Sequence, residues 1–399
     1  MCHRLPVSRF RASMGAPSIR DVVSRAAALE RSGKKVIHLE IGRPDYDSPA
    51  SAKEAVKRAL DAGQVHYTDT AGTIELRRAV AEAVARDRGI EADPESVVIT
   101  LGAAEALVST FMALLEPGDE VVVPAPFFPS YAPQVAMAGG VLREARCRFE
   151  NGFRLSLPDL EAAVTERTRI ILINTPGNPA GTVLSRSELE GIAELAKRRG
   201  LLVVSDECYE KFVYDGAEHL SIASLPGMVE RTVIISAASK TFSMTGWRVG
   251  WLVAPPELRP YVLKAHQLMT SCAASFAQAG VAEALTSADG DVRRMIAGYD
   301  ERRRFFADAL GGLDGFEVHV PKGAFYVFPR VSKLARRMGM TTAELAAWLL
   351  DEAGVASVPG DAFYAEPCGE SFLRLAYCRP LAELREAVER IRAAIAKRR

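Results

Sequence analysis

Several things this chain of 399 residues lacks narrow what it can be. Its six cysteines (Cys2, Cys147, Cys208, Cys272, Cys368 and Cys378) form no C-x-x-C pair, and its six histidines show neither H-E-x-x-H nor any other ligand spacing. That excludes a disulfide framework and a structural metal, and scattered thiols point to a reducing, cytoplasmic setting. No window is apolar for long enough to span a bilayer. The N-terminal MCHRLPVSRFRASMGAP is basic but has no apolar signal-peptide core, which leaves only a transit peptide open. An excess of one charge is missing too. With 50 Lys and Arg against 50 Asp and Glu, no overall field recruits nucleic acid or an anionic membrane. The local run Arg302, Arg303, Arg304 reads as a solvated helix face. No G-x-G-x-x-G follows a strand and no Walker A loop is present, so a nucleotide is a poor candidate ligand.

What is present reads as a globular chain of two domains, 48% hydrophobic and 25% charged. Short β-branched runs (SVVIT from Ser96, EVVVPAP from Glu120, TRIILINTP from Thr168, LLVVSDE from Leu201, RTVIISAAS from Arg231, RVGWLVAP from Arg248) alternate with amphipathic stretches. Two of these, ELRRAVAEAVARDRG and SELEGIAELAKRRG, end at glycine. The pattern predicts an α/β fold, a mostly parallel sheet covered by helices on both faces. The tail differs. GFEVHVPKGAFYVFPR reads as a hairpin-like pair, and the helix TTAELAAWLLDEAG, the strand FLRLAY and a last helix follow it as a smaller α+β unit. The division this suggests is an N-terminal segment, 1–44, shared with the small domain and a dimer contact; a large ligand-binding domain, 45–300; and a small C-terminal domain, 301–399.

In open parallel sheets ligands sit beyond the carboxyl ends of the strands, and three runs place polar groups there: Asn174 and Asn178, Asp206, and Lys240. Asp206 follows four apolar residues, so its buried carboxylate needs a cation or several donors. Lys240 poses the same problem with the opposite sign. An ion pair between them would satisfy both, but a buried lysine of lowered pKa is also a nucleophile able to form a Schiff base. The segment VVITLGAAEALVSTF turns from strand to helix at Gly102 and leaves the N–H groups of Ala103 and Ala104 at a helix N-terminus. Ser239 adds a hydroxyl and Arg248 a permanent cation, which together make a cradle for a phosphate dianion. A phosphate, an aldehyde-seeking lysine and a carboxylate suited to a protonated ring nitrogen identify one cofactor, pyridoxal 5′-phosphate.

The segments IGRPDYDSP, YTDTAGTIELRRAV, LGAAEAL, PAPFFPSY, NTPGNPAGTV, SDECYEKFVYDG, SKTFSMTGWRVGW, PKGAFYVF and FLRLAYC occur in one order from about Ser18 to near the C-terminus. In them the chain resembles the class I, fold-type I pyridoxal-phosphate aminotransferases, particularly the bacterial and archaeal aspartate and aromatic branch. The resemblance implies that Lys240 bonds covalently to the cofactor and moves the proton between substrate Cα and cofactor C4′. It further implies that Asp206 partners the ring nitrogen, that Tyr209 and Asn178 bond the 3-oxygen, and that Ala103, Ala104, Ser239 and Arg248 form the phosphate cup. Phe128 would stack on the ring, with packing of its Phe pair in the core as the plainer alternative. Arg374 would grip the substrate carboxylate beside Asn178 and the Gly42 backbone, unless it is a structural ion pair. Tyr67 would cross to the phosphate of a second subunit, which implies a homodimer with shared active sites.

The activity the resemblance implies is ping-pong transfer of an amino group from an L-amino acid to a 2-oxo acid, 2-oxoglutarate or pyruvate. A lyase, cyclase or oxidase acting on an L-amino acid in a biosynthetic pathway is the alternative, and a non-catalytic sensor of the same fold is a third. Three positions depart from the aspartate pattern. Ala104 stands where similar aspartate enzymes carry lysine, Arg43 replaces the acid of G-E-P-D, and Phe128 replaces tryptophan. The missing lysine argues against a dedicated dicarboxylate specificity, and Arg43 either offsets it or favours an acidic or polar substrate by another route. Ile19, in the segment that lines the side-chain pocket of such enzymes, tilts the expectation toward neutral or aromatic donors.

Overall fold

The computed structural model describes residues 18 to 398; the stretch on which the transit-peptide reading rests lies outside them. The strands, in chain order, are β1 (Ile37–His38), β2 (Val97–Thr100), β3 (Glu120–Ala125), β4 (Val141–Arg146), β5 (Thr168–Asn174), β6 (Leu202–Asp206), β7 (Thr232–Ala237), β8 (Gly250–Val253), β9 (Tyr326–Val327), β10 (Val355–Ala356), β11 (Val358–Pro359) and β12 (Leu373–Ala376). Seven of them form one sheet in the order β2-β8-β7-β6-β5-β3-β4. Only β8 runs against its neighbours, so the sheet is mostly parallel.

The Val/Ile runs of β2, β5, β6 and β7 are buried along most of their length, as strands covered on both faces must be. Each fully buried Val or Ile contributes about 1.5–3 kcal/mol. The helices start and stop where side chains provide for it. Helix Arg186–Arg199 opens with a capping box between Ser185 and Glu188 and ends at Gly200 with φ +64°; helix Ile74–Arg88 ends at Gly89 with φ +65°. Sequence patterning missed β4. Its VLREAR carries three charges and lies half in solvent at the sheet edge, so it lacks the apolar run that marks the other strands.

The rest of the chain builds two small sheets. β1 pairs in parallel with β10, which brings residues 37–38 against 355–356, and β11, β12 and β9 pair antiparallel in that order. The hairpin expected in GFEVHVPKGAFYVFPR is reduced to one bridge between Glu317 and Arg330, because Tyr326–Val327 pairs with β12 instead. The arginine run also departs from expectation. Arg303 is fully buried on helix Asp289–Gly311, bonded to both oxygens of Asp215, to Asp300 and to the Pro321 carbonyl, and Arg302 holds Asp45 at 2.7 Å. An aromatic cluster of Tyr209, Phe212, Tyr299, Phe325, Tyr326 and Tyr377 fills the space between the small sheets and the ends of β6 and β7. Among the described residues no helix is long and apolar enough to cross a membrane.

Candidate active site

A cleft of about 370 Å³ opens at the carboxyl ends of β5, β6 and β7. Gly42, Ala103, Ala104, Phe128, Asn178, Asp206, Tyr209, Ser239, Lys240, Arg248 and Arg374 all border it. Tyr67 does not: its side chain stands 90% exposed, away from the cleft of its own chain.

Each group arrives on a different element. Asp206 ends β6, and its Oδ2 accepts a hydrogen bond of 2.6 Å from the Tyr131 hydroxyl while Oδ1 accepts one of 3.2 Å from the Cys208 N–H. Burial pushes the Asp206 carboxyl above its ordinary pKa, and Tyr131 offsets this only in part. Lys240 lies in a one-turn helix, Ala238–Thr241, directly after β7. No ion pair joins it to Asp206; its Nζ donates instead to the Gly42 carbonyl at 2.6 Å. Burial lowers the Lys240 pKa, and the charges of Arg374 and Arg248 act in the same direction.

At one end of the cleft, helix Ala103–Leu114 begins after Gly102, and the N–H groups of Ala103 and Ala104 have no acceptor within it. A Cβ on Gly102, whose φ is +86°, would stand 2.8 Å from Arg248 Nη2, so only glycine admits the guanidinium here. Arg248 is itself held at φ +57°, in the left-handed region a non-glycine residue enters at a cost. Its fork is anchored on the carbonyls of Thr245 and Leu101, both at 3.0 Å.

At the other end, Arg374 on β12 is 2% exposed. Nη1 donates to Asn178 Oδ1 at 3.1 Å, Nη2 to the Glu40 carbonyl, and Nε has no partner. The ion pair offered as the plainer reading of this arginine is absent, and the Tyr326 ring lies beneath its guanidinium at 4.6 Å. The Tyr209 and Tyr326 hydroxyls share a 2.9 Å hydrogen bond; burial raises both, and Tyr326 is pushed up to about 12. Phe128 is partly buried and meets Tyr131 edge-on at 5.6 Å.

Sequence reasoning missed Tyr131, Tyr326 and Glu40. The signal for Tyr131 was a hydroxyl three residues beyond Phe128 in PAPFFPSY; for Tyr326 it was a tyrosine in a short aromatic run. For Glu40 it was an acid inside the otherwise apolar HLEIG.

The architecture is that of the fold-type I aminotransferases. Among solved structures, the aspartate aminotransferase from Thermus thermophilus with maleate superposes with a TM-score of 0.92 at 35% identity, over 98% of this chain and 100% of that one. The aromatic aminotransferase from Pyrococcus horikoshii OT3 does so with a TM-score of 0.87 at 40% identity, over 95% and 99%. In sequence the chain is 42% identical to an aspartate aminotransferase of Pyrococcus abyssi over 94% of both chains. It is 40% identical to the aromatic-amino-acid aminotransferase 2 of Thermococcus litoralis over 96% of both. The profile of the family described as aminotransferase class I and II matches residues 34–391. The chain therefore belongs to the class I and II aminotransferases, pyridoxal-phosphate-dependent enzymes that act on amino acids.

Proposed function

We propose that this enzyme moves the amino group of an L-amino acid to a 2-oxo acid, 2-oxoglutarate or pyruvate, in two alternating half-reactions. Pyridoxal 5′-phosphate would be held in the cleft of Lys240. The observation that carries the reading is Lys240 itself: an amine of lowered pKa, held by one carbonyl, with the buried Asp206, Arg248 and Arg374 around the same cleft. The donor set fits the cofactor. The bare glycine at position 102, the free N–H groups of Ala103 and Ala104, and Arg248 suit a phosphate. Asp206, whose burial disfavours its charge while no cation is present, suits a protonated ring nitrogen.

When bound, the cofactor supplies an electron sink for the pair left at the substrate Cα. The remaining work falls to the chain. Ala103, Ala104, Ser239 and Arg248 would hold the phosphate, Tyr209 and Asn178 the 3-oxygen, and Phe128 would cover one ring face. Tyr131 orients Asp206 through its hydroxyl. Arg374, with Asn178 and the Gly42 backbone, would take the substrate carboxylate in a planar fork. Lys240 would carry the cofactor covalently and, once released, move the Cα proton, a task that a lysine of lowered pKa performs at neutral pH. Tyr67 is exposed beside Val65, and Leu268 and Tyr261 are exposed as well. These exposed apolar side chains support a homodimer in which Tyr67 reaches the other subunit's phosphate. We extend the proposal to a cytoplasmic setting and to the three-part division at residues 44 and 300.

Borohydride reduction of the yellow protein followed by peptide mapping should place the pyridoxyl group on Lys240; label on another lysine would overturn the site. A panel of twenty amino acids with 2-oxoglutarate should then show exchange of amino and oxo acids. Release of ammonia or peroxide without an acceptor would assign a lyase or oxidase reaction instead.

A further inference from the structure

Glu40 is a buried acid for which the reading above has no use. It borders the cleft and is 0% exposed. Its carbonyl accepts from the Arg374 guanidinium. Of its carboxylate oxygens, Oε1 accepts from His38 Nδ1 at 2.7 Å and Oε2 has no partner. Arg374 also keeps an unpartnered Nε. The Glu40 backbone therefore meets the Arg374 guanidinium while its carboxyl turns to His38, and no ion pair joins the two side chains. A second carboxylate brought to Arg374 would meet the charge of Glu40 where little water screens it.

His38 bears on that conflict. Its ring lies between two acids, with Nδ1 on Glu40 and Nε2 on Glu30 Oε1 at 3.1 Å. A carboxyl oxygen on each ring nitrogen favours the imidazolium form, which donates at both. Burial opposes that charge, but the hydrogen bonds and charges of Glu40 and Glu30 outweigh it and hold the His38 pKa above its ordinary value. The charged groups facing His38 are Glu30 from helix Ser18–Arg31, Glu40 from its own segment, and Arg379, whose Nε donates to the His38 carbonyl at 2.9 Å. The paired strand β10 contributes only Val355 and Ala356.

We propose that His38 is a positioning residue that neutralises Glu40 and so leaves Arg374 free to bind the carboxylate of the substrate. This rests on the reading of Arg374 given above. While His38 is protonated, the negative charge of the Glu30–His38–Glu40 chain is drawn toward the surface. When the proton leaves, Glu40 competes with the substrate for Arg374. Affinity for carboxylates is thus full below the raised pKa of His38 and falls as the pH climbs through it.

The test uses enzyme loaded with pyridoxamine phosphate, in which Lys240 is not bonded to the cofactor. The probe is 3-phenylpropanoate, an unreactive carboxylate ionised throughout the range, and its Kd is measured by calorimetry from pH 5.5 to 9. The parent should weaken about tenfold or more across that range. Glu40→Gln, which keeps the shape of the acid, should bind tightly with only the shallower slope that the free Lys240 amine leaves, and His38→Gln should bind weakly with that same shallow slope. A parental slope surviving in Glu40→Gln, or weaker binding in that variant at low pH, would overturn the role of His38. Arg374→Gln separates the two readings: undiminished binding there removes the carboxylate site itself, whereas lost binding there together with a parental slope in Glu40→Gln removes only His38.

Discussion

Asp206 and Glu207 are consecutive acids at the end of one strand, and they lead opposite lives. Asp206 turns into the cleft, where the Tyr131 hydroxyl and the N–H and thiol of Cys208 meet it but no cation does, and burial lifts its pKa. Glu207 turns away from it. There it accepts from Arg88 Nε at 2.6 Å, His219 Nε2 at 3.1 Å, Ser205 Oγ at 2.9 Å and Ser221 Oγ at 2.6 Å. Burial alone would raise Glu207 too, but the charge of Arg88 and the bonds from His219 and Ser221 hold it far below its ordinary value. Arg88 also reaches Glu210 at 2.9 Å, which in turn takes the Ser236 hydroxyl. The network around Arg88 is architecture: it braces the turn that carries Tyr209. The acid beside it has no cation, which suits the proposed role of Asp206 as partner of a protonated ring nitrogen, and environments that drive neighbouring acids apart in this way mark a site.

The comparison can be tested most severely at Lys240. Lys240→Ala should bring turnover to the detection limit and abolish the visible absorbance of the bound cofactor, while the melting temperature of the cofactor-free protein stays within a few degrees of the parent. A large loss of stability would mean that the cleft side is structural too. On the other face Arg88→Met should do the reverse. It leaves Glu207 and Glu210 buried without their cation, a change that costs about 3–5 kcal/mol. Urea denaturation should show that loss, with whatever protein remains folded still binding cofactor. Arg374→Lys lies between these. A point charge cannot reproduce the fork, so the KM for amino acids should rise about tenfold to a hundredfold, with a smaller change for simple amines. Equal losses for both would detach Arg374 from the carboxylate.

The cleft was largely legible in the sequence because its groups sit at strand ends, and strand ends can be read from local composition. Asp206, Lys240 and Asn178 each follow an apolar run, and all three converge on one cleft. Groups whose meaning depends on a distant partner were not legible. Arg303 looked like a solvated neighbour of Arg302 and Arg304, yet Asp215, 88 residues earlier, draws it inside. Tyr131 stood in a quoted motif, but nothing local shows that its hydroxyl faces an acid 75 residues away. The same holds for Glu40, whose setting depends on His38 nearby and on Arg374 at the far end of the chain. Strand β4 failed for a different reason: an edge strand half in solvent has no apolar run to betray it.

The smallest expected effect is also the cleanest contrast, because it is one of sign. Asp206 has a raised folded pKa, so the cofactor-free protein binds that proton more tightly than the unfolded chain does. Its contribution to stability is present below the unfolded pKa, near 4, and is lost as the pH rises through the folded value. Glu207 is depressed, so its contribution is present above its unfolded pKa, also near 4, and disappears only as the pH falls through the folded value. Replacing each acid by its amide should therefore split two adjacent positions in opposite directions. Cofactor-free Asp206→Asn should gain on the parent in urea midpoint as the pH rises above about 4, whereas Glu207→Gln should fall behind the parent as the pH rises toward about 4 and hold a constant deficit from there upward. If both variants drift the same way, the two acids share one environment and the division between the two faces of the β6 terminus fails.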